Sequence, residues 1–182
     1  MPLPPGHYTL GPDDGTLTVR TGRTGAAAKA GHDLLMEVTS WRATLDLPDG
    51  AGQRAIALSA DPRSLRVREG TGGIQGLGDD DKASIDRAID DKVLKGAAIE
   101  FRSSRVDAGP DGTGLRVEGD LDLAGARHPV AFHLDATADG RITGSARLRQ
   151  SDWGMKPYSA LFGTLKVADE VEVAVDARLP GS

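Results

Sequence analysis

Apolar residues recur at every second position through most of this chain, and that period decides what it can fold into. In "VEVAVDARL", Val171, Val173, Val175, Ala177 and Leu179 alternate with Glu172, Ala174, Asp176 and Arg178. Successive side chains on an extended strand point to opposite faces, so the pattern buries one face and wets the other. The same spacing joins Leu17 to Val19, Leu34 to Met36 and Val38, and Ile56 to Leu58. It also joins Ile99 to Phe101, Leu115 to Val117, Leu121 to Leu123, and Val130 to Phe132 and Leu134. One-sided strands of this kind belong to antiparallel sheets. The pieces between them, such as "PDGAG", "AGPDGTG" and "ADG", carry the Gly, Asp and Pro that tight connections need. About eight strands at this spacing predict a sandwich or a closed barrel, and the period alone leaves both open.

One segment obeys a different period. In "GDDDKASIDRAIDDKVLKG" the apolar residues Ile85, Ala88, Ile89 and Val93 fall at helical spacing. Asp79, Asp80 and Asp81 crowd the start, Lys92 and Lys95 sit near the end, and Gly96 follows. The spacing predicts a single amphipathic helix of about three to four turns, its acidic start complementing the helix dipole. The run "GDDDK" lacks the spaced oxygen ligands of a calcium loop. The preceding "VREGTGGIQGLGDD" has no strand-then-helix context for cradling phosphate and reads as a mobile surface loop.

At 182 residues with a net charge of -5, the chain suits one soluble domain and offers no basic footprint for nucleic acid. Its lack of cysteine rules out disulfides, thiolate nucleophiles and cysteine-based zinc sites. The opening "MPLPPGHYTL" has neither a basic nor an apolar leader region, and no run approaches the roughly 20 apolar residues of a membrane span. A cytoplasmic protein is expected. The domain is placed at residues 6–179, with residues 1–5 and 180–182 as frayed ends.

The pair His32-Asp33 invites a catalytic reading, which strand geometry divides. Within "HDLLMEV", His32 shares the apolar face with Leu34, Met36 and Val38, while Asp33 and Glu37 look outward. His133 alternates outward, His128 sits in the turn "AGARHP", and His7 lies near a loose terminus. No histidine pair has metal-site spacing, and no nucleophile or paired-carboxylate signature is present. An isomerase, cyclase or hydrolase acting on a small apolar substrate, with His32 as acid or base, remains the alternative to a binding protein. It requires a second polar group on His32's face.

Several strings resemble a known family. "GDLDLAGARHPVAFHL" is similar to the turn-and-strand motif of YceI-like proteins, "VLKGAAIEFRSS" to their passage from helix to strand, and "LRQSDWGMKP" to their late motif with an aromatic residue and glycine. "TVRTGRTGAAAKAGHDLLMEV" sits where the family has its strand with a histidine, and the four pieces occur in family order. The resemblance runs from Tyr8 to Leu179. In "GAAIEF", Ala97 and Ala98 stand where the family often has tyrosine and proline.

The resemblance implies an extended, lipocalin-like antiparallel barrel with one inserted helix, enclosing a long apolar molecule such as an isoprenoid or quinone-like lipid. Many members are periplasmic. No cofactor or metal is implied, and exposed strand edges or the Trp153 loop leave a homodimer open. Taken with the strand parity, it makes Leu34, Met36, Ile99, Phe101, Val117, Leu121, Phe132 and Val173 the expected lining, with His32 near one end. Trp153, Met155, Tyr158 and Phe162, in "DWGMKPYSALFG", form either a cover for the open end or a plug within it. A barrel filled by its own side chains would instead be an interaction module. Each buried CH₂ contributes about 0.8 kcal/mol, so a five-carbon isoprene unit supplies on the order of 3 kcal/mol before the costs of immobilisation.

Overall fold

The alternating segments do pair as antiparallel strands, and the resulting sheet curls around their apolar face. The computed structural model describes residues 3–109, 113–160 and 165–181. Its first half comprises β1 (Gly6–Leu10), β2 (Gly15–Thr24), β3 (His32–Val38), β4 (Trp41–Leu47), β5 (Ala55–Ala60), β6 (Leu65–Gly72) and the helix α1 (Asp79–Ala88). The second half comprises β7 (Ile99–Ala108), β8 (Leu115–Leu123), β9 (Ala126–Ala136), β10 (Arg141–Arg149), β11 (Ser159–Ala160) and β12 (Leu165–Arg178). The strands follow the order β1-β4-β5-β7-β8-β9-β10-β12-β2-β3-β6, with the two-residue β11 paired to β12 alone.

The strand count exceeds the expected eight, and the extra strands differ in how plainly the sequence marks them. β10, "RITGSARLR", carries Gly144 and Ala146 between Ile142 and Leu148, residues too small to register as an apolar alternation. β6 begins with buried Leu65 and Val67 and then runs into charge and glycine. β1 contributes one buried residue, Leu10, and β4 adds a full alternation of its own in Trp41, Ala43, Leu45 and Leu47. Two histidines also move from their expected settings. His128 lies in β9 opposite Leu121, because the hairpin turns earlier, at Ala124 and Gly125. His7 lies in β1, with its Nδ1 2.6 Å from Asp46 Oδ1.

The path ends at β1 and β6, and the helix lies beside the second of these edges. Asp86 Oδ1 accepts the Val67 amide at 2.9 Å, occupying a donor on the β6 edge strand. The helix starts after Gly78, whose amide donates to Asp81 Oδ2 at 3.0 Å. It continues into a wider π-type turn, Ile89–Leu94, and stops where Lys95 and Gly96 take φ values of 53° and 66°. Ile85 and Ile89, on the predicted apolar face, pack against the core. No helix among the described residues is long and apolar enough to cross a membrane.

Candidate functional site

The concave face of the sheet is not filled. It encloses a cavity of about 640 Å³ walled by side chains from β1 to β10, β12 and the helix. Small residues make the room: Ala43, Ala60, Gly144, Ala146 and Ala177 all line it. Of the expected residues, Leu34, Met36, Ile99, Phe101, Leu121, Phe132 and Val173 line the cavity, as do His32 and Tyr158. Phe101 and Phe132 meet there with ring centroids 5.4 Å apart.

Val117, expected in the lining, and Trp153, expected in the cover or plug of the open end, do not line the cavity. Val117 is fully buried, opposite Val106 on β7, among core residues that are not part of the lining. Trp153 is also buried: its indole N–H donates to the Leu121 carbonyl at 2.9 Å, and its ring sits 5.2 Å from that of His128, which shares a face of β9 with Val130 and Phe132. Met155 and Tyr158, beyond it, do line the cavity. Phe162 lies outside the described residues.

The late motif "QSDWG" earns its composition by holding an irregularity in β12. Between Val167 and Val171 the pairing with β2 slips, leaving a bulge. Gln150, buried, donates through Nε2 to the Ala168 carbonyl at 3.0 Å. The Ser151 amide and hydroxyl donate to the two carboxylate oxygens of Asp169 at 2.8 and 2.5 Å. Those bonds from Ser151 hold the Asp169 carboxyl below its ordinary pKa of 3.8.

Polar side chains gather where β2 and β3 pass the end of β6. Thr21, Arg23 and His32 line the cavity there. Arg23 donates through Nη1 to the Gly31 carbonyl, and its Nε lies 3.5 Å from Asp33 Oδ1. The outward-facing Asp33 thus holds Arg23 rather than serving His32. His32 Nε2 donates to the Gln75 carbonyl at 2.6 Å.

The first part of the glycine-rich stretch, expected to be a loop, is strand and belongs to this arrangement, while Ile74, Gln75 and Gly76 lie at the surface as expected. Gly70, Thr71 and Gly72 continue β6 in register with Leu34, Asp33 and His32. Gly72 and Gly73 have φ values of 82° and 73°, and a Cβ there would lie 2.2 Å from Arg23 Nη1 and 2.4 Å from His32 Nε2. Only glycine lets the backbone lie so flat on both side chains.

Arg23 and Thr21 were missed by sequence reasoning although the signal was present. They continue the odd-numbered face that starts with Leu17 and Val19. Their polarity hid a parity that hydrophobic alternation alone does not follow. The helix was foreseen, but not as wall: Ile85, Ala88, Ile89 and Val93 all line the cavity.

The ionisable residues among the described lining are Arg23, His32 and Tyr158, with no carboxylate. Among the described residues no three His, Asp or Glu side chains come together to hold a metal ion. The arrangement can take up an elongated apolar molecule and offer hydrogen bonds and positive charge to a polar end.

The model of the YceI-like domain family matches residues 8–179. Among solved structures, BcnA from Burkholderia cenocepacia is similar at a TM-score of 0.60 and 15% identity, covering 88% of this chain and 94% of its own. A YceI protein from Campylobacter jejuni is similar at a TM-score of 0.57 and 12% identity, covering 81% of this chain and 85% of its own. A comparison with curated proteins returns no match.

Proposed function

The chain belongs to the YceI-like domain family, and from that premise we propose that it binds an isoprenoid-like lipid in its cavity, to store or carry it, without transforming it. One observation carries this reading: a largely apolar cavity of about 640 Å³, whose described lining holds one guanidinium, that of Arg23, and no carboxylate. That volume lies within the range of about 300–1,000 Å³ in which small-molecule sites fall. Leu34, Met36, Ile99, Phe101, Leu121, Phe132 and Val173 form the apolar contact surface of the proposed site. Tyr158 stands at its border, and His32 with Arg23 receives the polar end.

Binding of this kind draws on the non-directional burial of CH₂ groups, so affinity comes from cavity length and selectivity from the few polar groups. Protein purified without detergent is expected to carry an apolar species at near-stoichiometric occupancy. Native mass spectrometry and mass analysis of an organic extract measure this. A native mass equal to the bare chain, with an empty extract, defeats the proposal if added polyprenyl alcohol also fails to bind.

A further inference from the structure

The chain has two tryptophans, and their indole N–H groups meet different fates. That of Trp153 finds the Leu121 carbonyl. Trp41 is 6% exposed and lines the cavity, and its Nε1–H has no acceptor among the described residues. An unpaired buried donor is costly, and native proteins keep few of them. An indole nitrogen can only donate, so whatever completes it must bring an acceptor.

Trp41 stands far along the cavity from the polar residues around His32. β3 runs from His32 to Val38, about 20 Å of extended chain at roughly 3.3 Å per residue, and Trp41 follows after Thr39 and Ser40. That corner is fixed. The Thr39 amide donates to the Ser64 carbonyl at 3.0 Å, the Asp61 amide to the Ser40 carbonyl at 3.0 Å, and Trp41 is in register with Ala60. The lining residues that β1, β3, β4 and β6 contribute near this end are Leu10, Val38, Ala43 and Leu65, none with an acceptor side chain.

We infer that Trp41 is a polar subsite at the inner end of the cavity, donating a hydrogen bond to a neutral oxygen on the end of the ligand that enters first. The inference rests on the lipid-binding function proposed above. The oxygen is a carbonyl, ether or hydroxyl. One N–H among aliphatic side chains cannot offset the burial of a carboxylate or phosphate, whereas it matches a single neutral acceptor. The ligand is therefore an oxygenated lipid and not a plain hydrocarbon, and an acidic head is excluded from the inner end.

The test compares a saturated long-chain methyl ketone with the alkane of equal carbon number on the full chain. Binding is measured by competition, and the two indole N–H resonances are followed by NMR after assignment with Trp153→Phe. The ketone is expected to bind about twofold to tenfold more tightly than the alkane, the range of one net hydrogen bond, and to move the Trp41 resonance downfield. Trp41→Phe is expected to erase the ketone's advantage while leaving alkane affinity within about twofold. Equal affinity for the two probes, a stationary Trp41 resonance, or an advantage that survives Trp41→Phe overturns the subsite and leaves lipid binding standing. Failure of both probes to bind while polyprenyl alcohol binds overturns the subsite alone, and failure of all three overturns the function with it. Should Trp41→Phe not fold, the affinity ratio and the resonance in the unaltered protein decide.

Discussion

At the scale of single residues, the cavity's polar corner depends on a position with no side chain. Gly73 lies against the His32 ring at positive φ, so Gly73→Ala combines left-handed strain with a steric clash. It is expected to cost about 1–3 kcal/mol, read as a fall in Tm of roughly 2–4 °C for each kcal/mol, and to break the His32–Gln75 hydrogen bond. An unchanged His32 imidazole resonance in that variant would show that the glycine is incidental. Val117 and Ala146 make a second contrast, because both are inward residues but only Ala146 faces empty space. Val117→Ala should lose about 2 kcal/mol in denaturant unfolding, as a void opens in packed core, with lipid occupancy unchanged. Ala146→Phe should lower occupancy with a smaller effect on stability, and the reverse ranking would relocate the cavity. Strand parity alone had given His32 its inward direction and Asp33 its outward one. It could not separate Val117 from the lining, since alternation reports the face on which a side chain lies and not whether the space before it is filled.

Elements show which parts of the pattern were chosen for shape. The bulge in β12 is secured by Gln150 and by Ser151 acting on Asp169. A carboxylate whose folded pKa is depressed stabilises fully above its unfolded value, here about 3.8, and that contribution is lost as pH falls through the lower folded value. The same sign holds for Asp122 and Asp176, held down by hydrogen bonds from Arg127 and Arg141, and for Asp139, held down by Thr137. Stability should therefore decline below pH 3.8, and Asp169→Asn should show a shallower decline than the unaltered chain. Thermal melts from pH 6 downward measure it, and parallel curves would remove Asp169 from the account. The helix was legible in sequence because its period, acidic start and terminal glycine all agree. That it forms a wall of the cavity was not, because an apolar stripe names no partner. The role of Gly72 and Gly73 was hidden for a related reason: glycine marks both looseness and close approach, and only the Arg23 and His32 side chains against these two tell them apart.

For the whole molecule, the period of two was enough to announce a curled antiparallel sheet, and the family strings set its order. The number of strands was less visible, since β10 faces the cavity with glycine and alanine and so hides its alternation, for the same reason that the cavity is open. The topology has a consequence in time. β12 lies between β10 and β2, pairing Thr18 with Ala174 and Leu17 with Val175, so the sheet is joined through residues far apart in the chain. During synthesis β2 emerges early and waits for its neighbour, while β3 and β6 can assemble with it only as a separate ribbon. Such non-local pairing places folding in the range of about milliseconds to seconds. Until β12 arrives the two ribbons expose the apolar faces that later enclose the cavity, and exposed apolar surface beside unpaired strand edges favours aggregation at that stage.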